Sequence, residues 1–131
     1  MIFIDTSAIY ALADRADPWH QAAKERFEGL LRGGERPLTH NYVLIESMAL
    51  LQHRLGLDAA IQFGRDARAF VIEWIGEKTH EKVLNSLRVV SRREVSFVDH
   101  VSFFVMRSRG VRVALAFDRH FEAEGFGIFG S

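Results

Sequence analysis

Short apolar runs rich in β-branched and aromatic residues alternate along this chain with stretches of helical periodicity, and that alternation restricts the folds open to it. Met1 to Ile4 is such a run and reads as a buried strand. Leu38 to His40, Phe70 to Ile75, Val111 to Phe117 and Gly127 to Phe129 read as further strands, most of them bounded by glycine, proline or polar residues. Helical stretches fall between them. Ala8 to Ala13 follows the helix-start residues Thr6 and Ser7, and Pro18 to about Leu31 follows Asp17 as cap. Tyr42 to Arg54 follows Asn41 as cap. Leu57 to about Ala69, Glu77 to about Val90, Ser96 to Ser108 and Arg119 to Glu124 complete the set, with Ser91 to Val95 as a polar connection. Strands that alternate with helices pack as an α/β layered fold with a mostly parallel sheet. In such sheets ligands bind beyond the carboxyl ends of the strands. The length of 131 residues suits one domain, 1–131, and no repeat or inter-domain linker interrupts it.

Composition narrows the setting. No run of about eighteen apolar residues is present, so no membrane span is expected. The opening Met1-Ile2-Phe3-Ile4-Asp5 carries no basic leader, so no signal peptide is expected either. Cysteine is absent, which excludes a disulfide framework and a thiolate nucleophile and makes a cytoplasmic location the default. A formal net charge of zero gives no broad basic face for nucleic acid.

Within this frame four acids stand in apolar surroundings. Asp5 follows Ile2-Phe3-Ile4, Glu46 follows Val43-Leu44-Ile45, Asp99 follows Phe97-Val98, and Asp118 follows Val113 to Phe117. An ionised carboxylate loses hydration there that an apolar neighbour cannot replace. Each also has a structural reading. Asp5 can cap the first helix, although Thr6 and Ser7 can already do so, and their hydroxyls are placed to orient a carboxylate or a water. Glu46 lies on the stripe through Val43 and Leu50, or on its border where it reaches solvent, Arg54 or His53. Ser96-Phe97-Val98-Asp99 fits a capping box, and Asp118 can cap the short last helix. Taken together the acids point to one site. Two carboxylates at about 5 Å repel by roughly 3 kcal/mol at an effective dielectric near 20. Several such pairs rival the roughly 5–15 kcal/mol stability of a domain, so protons or divalent cations must neutralise them. All-oxygen ligands favour Mg²⁺ or Mn²⁺, and an acid-bound metal at a strand edge suits phosphodiester hydrolysis.

The segments Phe3-Ile4-Asp5-Thr6-Ser7, Asn41 to Glu46, Phe97-Val98-Asp99 and Phe117-Asp118-Arg119-His120-Phe121 resemble the PIN-domain ribonucleases, in particular the VapC-type toxins of toxin–antitoxin pairs. The resemblance covers nearly the whole chain. It implies a three-layer α/β/α sandwich whose acids bind one or two Mg²⁺ or Mn²⁺ ions. Asp5 and Asp99 are then the principal ligands, Glu46 completes the site, and Asp118 acts through water. Thr6 or Ser7 orients the ligands. Apart from the resemblance, Arg119 beside Asp118 is the candidate substrate contact among the basic residues. A metal-activated water attacks the phosphorus of single-stranded or loop RNA, leaving a 5′-phosphate and a 3′-hydroxyl. The resemblance also implies a cognate antitoxin protein and a homodimer.

Two positions depart from the family pattern: His100 after the third acid, where it can crowd the site or contact a phosphate, and Ala116 two residues before the fourth. Arg92-Arg93 and the group Arg107, Arg109, Arg112 and Arg119 are the local basic clusters, read mainly as solvated surface or as complements to a helix carboxyl end. The six histidines are scattered and read as ordinary residues, and Trp19 and Trp74 read as core. The apolar stripe of Trp19, Phe27 and Leu30, with the Leu57–Ala69 helix, is a candidate antitoxin groove, though core packing accounts for most of it. The competing expectation is a PIN-like module that keeps the acids but only docks RNA or protein.

Overall fold

The computed structural model describes residues 1–87 and 93–130. The expected run of the fifth long helix to Val90, the Ser91 start of the connection and Arg92 lie outside those residues. Five strands, β1 (Ile2–Ile4), β2 (Pro37–His40), β3 (Val71–Glu73), β4 (Val113–Leu115) and β5 (Gly127–Ile128), form one sheet in the order β3-β2-β1-β4-β5. Every pairing is parallel. The described helices are α1 (Thr6–Ala13), α2 (His20–Arg32), α3 (Asn41–Leu55), α4 (Leu57–Asp66), α5 (Glu77–Ser86), α6 (Phe97–Arg109) and α7 (His120–Ala123). This is the α/β layered architecture expected from the alternation.

Successive strands run from β1 outward to β3, then return to the other side of β1 as β4 and β5. With right-handed crossovers, α1 to α4 cover one face and α5 to α7 the other. The packing agrees: α1 contacts α2 and α3, α3 contacts α4, and α5 contacts α6. The strand order reverses between β1 and β4, and a crevice opens there beyond their carboxyl ends.

Strands buried on both faces must be apolar throughout, which is why β1 is Ile-Phe-Ile with no alternation. Its Phe3 ring meets Phe121 at 5.8 Å, and Phe103 meets Phe121 edge-on at 5.1 Å. All three rings are fully buried, so α6 and α7 are fixed to the sheet by the face opposite α1. Gly110 ends α6 in the left-handed region, at φ 67°, and turns the chain into β4.

The structure departs from the sequence expectations at several element ends. Asp5, rather than Thr6 or Ser7, caps α1, because its carboxylate reaches the Ser7 amide. The Asp17 carboxylate holds the Trp19 amide in a turn, so α2 begins at His20 instead of Pro18. His40 caps α3 in place of Asn41, whose side chain binds the Ile75 backbone across the sheet edge. The Leu57–Ala69 stretch divides into α4 and a 3-10 turn at Ala67–Ala69. Neither tryptophan is core: Trp19 is 52% exposed and Trp74 is 70% exposed. Leu30 is fully buried and Trp19 packs on Phe117, so only Phe27 of the expected stripe faces a groove.

Candidate active site

Asp5 leaves the carboxyl end of β1 with its own amide bonded to the Leu115 carbonyl of β4. The side chain is therefore set over the β1–β4 crevice and is only 3% exposed. One oxygen, Oδ2, accepts from the Ser7 amide at 3.1 Å and from the Ser7 hydroxyl at 2.7 Å. That hydroxyl in turn accepts from the Phe117 amide at 2.9 Å. Ser7 thus ties Asp5 to the segment that carries Asp118. Burial, with the nearby Asp118 and then Asp99 charges adding to it, pushes the Asp5 carboxyl up to about 8 despite the opposing Ser7 bonds.

Asp99 sits at the third position of α6, where the capping box forms as its residues imply. Its amide donates to Ser96 Oγ, and its Oδ2 accepts from the Ser96 amide at 3.2 Å. The structural reading and the site reading hold together. The cap orients the carboxylate, and the same Oδ2 lies 3.0 Å from His120 Nδ1. Asp118 follows β4 and folds into a tight turn, with Oδ1 accepting from the His120 amide at 2.9 Å. Asp99, Asp118 and His120 each offer a ligand atom, and these atoms all lie within 4.8 Å of one another.

For Glu46 the structure decides between the two sequence readings. The buried stripe of α3 runs through Val43, Ser47 and Leu51, one position away from Glu46, which is exposed. Its position is nonetheless controlled: Thr6 Oγ1 donates to Glu46 Oε1 at 2.6 Å. Thr6 and Ser7 thus fix two acids from one helix start. Among the described residues a common pattern results. Each of the four acids has one oxygen engaged by the protein and the other outside every hydrogen bond found. Asp5, Asp99 and Asp118, oriented with one oxygen to spare and close enough that burial and neighbouring charge raise the Asp5 carboxyl, are a donor set that fits a hard divalent cation; Glu46 is not in the Asp99–Asp118–His120 group and is held at Thr6. The imidazole nitrogen adds a borderline donor.

The sequence offers Arg119 and His120 as possible local partners of Asp118 and nothing more for His120, whereas the structure brings His120 to both Asp118 and Asp99. The signal was present in Asp118-Arg119-His120, where an imidazole two residues past a strand-end acid enters the same turn. Arg119, exposed beside Asp118, is free of ion pairs among the described residues. His100 neither crowds the acids nor faces them. It lines a separate cavity of about 280 Å³ with Lys82, Val83, Ser86, Phe103 and Phe104. Ala116 is buried and offers no ligand atom. Of the basic group, Arg107 pairs with Glu124 at 2.9 Å and Arg109 with Glu73 at 2.6 Å, so both serve the surface as expected.

With Asp5, Asp99 and Asp118 brought together where the parallel five-stranded sheet reverses its strand order, the chain belongs to the PIN-domain family, matched over residues 2–126. Among its relatives is the 23S rRNA-specific endonuclease VapC20 of Mycobacterium tuberculosis, from strains CDC 1551 and H37Rv. Each is 38% identical over 130 residues, spanning 96% of this chain and 95% of the relative. The crystal structure of Mycobacterium tuberculosis VapC20, described as a sarcin–ricin loop cleaving toxin, superposes with a TM-score of 0.84 at 36% identity and covers 96% of both chains. The VapC-type resemblance carried by the four acid segments holds, and the endoribonuclease toxin class expected from it agrees with these relatives. No helix among the described residues is long and apolar enough to cross a membrane.

Proposed function

We propose that this PIN-domain protein is a cytoplasmic, single-domain endoribonuclease that hydrolyses ribosomal RNA using Mg²⁺ or Mn²⁺ held by Asp5, Asp99, Asp118 and Glu46, with His120 as a further ligand. The convergence of Asp99, Asp118 and His120 within 4.8 Å beside the buried Asp5 carries the reading. A divalent cation held there would supply charge neutralisation at a phosphoryl oxygen and would lower the pKa of a bound water. The chain's own groups do the rest. Ser7 and Ser96 hold Asp5 and Asp99 in fixed rotamers, so the site is organised before substrate arrives. Thr6 presents Glu46 and leaves its second oxygen for the cation. Arg119 is the candidate phosphate contact. With 23S rRNA the substrate of relatives 38% identical to this chain, an exposed rRNA loop is the substrate class we assign.

An antitoxin and a homodimer belong to the same proposal. A groove of about 400 Å³ lies among α1, α2 and α4, lined by Ile9, Leu12, Phe27, Phe63, Ala67 and Phe70. It would take the apolar face of an antitoxin segment. The nuclease reading is tested by incubating purified protein with ribosomes and naked 23S rRNA, in Mg²⁺, Mn²⁺ or EDTA, beside an Asp99→Asn control. Metal-dependent cuts with 5′-phosphate ends, lost in the variant, are expected. Inert but folded wild-type protein in every metal would leave a docking module as the function.

A further inference from the structure

We propose that Trp19 is a stacking platform for an unpaired base of the RNA next to the scissile phosphate. This inference rests on the nuclease reading and names a substrate contact for it. Trp19 is 52% exposed, an unusual state for so large an apolar ring. It is also fixed. Its amide donates to the Asp17 carboxylate at 2.8 Å, its carbonyl accepts the Ala23 amide at 2.8 Å, and its indole lies on the Phe117 ring at 5.2 Å and 22°. One face of the indole is thus spent on Phe117, and much of the remaining ring meets solvent.

Phe117 connects this ring to the acids. It is the residue before Asp118, and its amide donates to the Ser7 hydroxyl that donates to Asp5. The Arg26 guanidinium lies 5.2 Å from the same Phe117 ring, and no carboxylate pairs with it among the described residues. A rigid flat ring and a spare cation therefore stand on Phe117, the residue next to Asp118 and bonded through its amide to Ser7. RNA that presents unstacked loop bases is recognised by such rings, with guanidinium groups on the backbone. A protein partner would instead be met by a wider apolar core, whereas Asp17 and Arg26 flank this single ring. Trp74, more exposed still, follows the edge strand β3, two strands away from β1, and shares no ring contact with this surface. It serves as the internal control.

The test uses full-length protein carrying Asp99→Asn, so that RNA stays uncut, and Trp74→Phe, so that Trp19 is the sole indole. The probe is a labelled RNA hairpin copying the sarcin–ricin loop of 23S rRNA. Anisotropy reports binding, and indole emission reports stacking. Binding should quench the indole. Trp19→Ala should weaken binding by about 5- to 150-fold, and Trp19→Phe should recover most of it. In the cleavage-competent protein, Trp19→Ala should raise KM far more than it lowers kcat. Normal binding with an unquenched indole and an unaffected Trp19→Ala variant would overturn the platform while leaving the nuclease reading intact. So would loss of a protein partner, with RNA binding unchanged, in Trp19→Ala. Failure of the parent protein to bind the hairpin or cleave any rRNA would remove both readings.

Discussion

Replacing Asp5 with asparagine should abolish activity and yet make the metal-free protein more stable. The carboxyl is buried at the β1–β4 crevice and pushed from 3.8 up to about 8, first by burial and then by Asp118. Between those two pH values the folded protein holds a proton that the unfolded chain releases. Stability attributable to this group is therefore greatest below 3.8 and falls as pH rises, levelling off above 8. At pH 7 the deficit spans roughly three pH units at about 1.4 kcal/mol each, or about 4 kcal/mol. Sharing of the strain with Asp118 and Asp99 brings the expected gain to ~2–4 kcal/mol, on the order of 10 °C in Tm for a chain this size. Asparagine avoids the charge and keeps what matters locally: its carbonyl oxygen can accept both Ser7 bonds, and it caps a helix as well as aspartate. Thermal melts in EDTA across pH 4 to 9 should show Asp5→Asn above wild type at neutral pH, with the gap closing toward pH 4. Added Mn²⁺ should raise wild type and leave the variant nearly unmoved. A variant less stable than wild type in EDTA at pH 7 would refute the reasoning.

His40 should give the opposite pH dependence. It is fully buried, its Nδ1 accepts the Tyr42 and Val43 amides, its Nε2 donates to Ser102 at 2.8 Å, and burial pushes it from 6.5 down to about 3. Its contribution is present above pH 6.5 and lost as pH falls toward 3, about 3 kcal/mol by pH 4, so urea melts of His40→Asn should show a flatter acid limb. His120→Ala should weaken Mn²⁺ binding about tenfold or more by calorimetry and Mg²⁺ binding less, because an imidazole nitrogen suits Mn²⁺ better. Phe63→Asp should abolish capture of the cognate antitoxin in a pull-down while RNA cleavage continues, since Phe63 lines the groove and not the acid cluster.

The sheet, its parallel sense and the position of Asp5 and Asp118 were legible because buried parallel strands must be apolar throughout and therefore stop visibly at a carboxylate. Asp99 was legible by two signals at once, the capping box and the acid pattern, which turned out to be one arrangement. Helix starts shifted wherever a side chain had two possible amides to serve, as with Asp5, Asp17 and Asn41. For Glu46 the sequence leaves two readings open, and the structure takes the one on the border of the stripe, because a stripe through Val43 and Leu50 differs by only one position from the buried one through Ser47 and Leu51. The tryptophans were misplaced for a related reason: hydrophobicity says that a ring prefers burial, and only tertiary packing decides whether a core position exists for it. His120 is legible in the sequence only as a neighbour of Asp118; its reach to Asp99 depends on the approach of α6 to α7, a long-range contact that no local pattern encodes.

The central claim is that the four acids and His120 form one metal centre, and anomalous diffraction from crystals grown with Mn²⁺ tests it most directly. The account predicts a peak bounded by Asp99, Asp118 and His120 with Asp5 in its coordination sphere, absent from Asp99→Asn crystals. Saturating Mn²⁺ with no peak among these residues, or a peak only elsewhere on the surface, would contradict it.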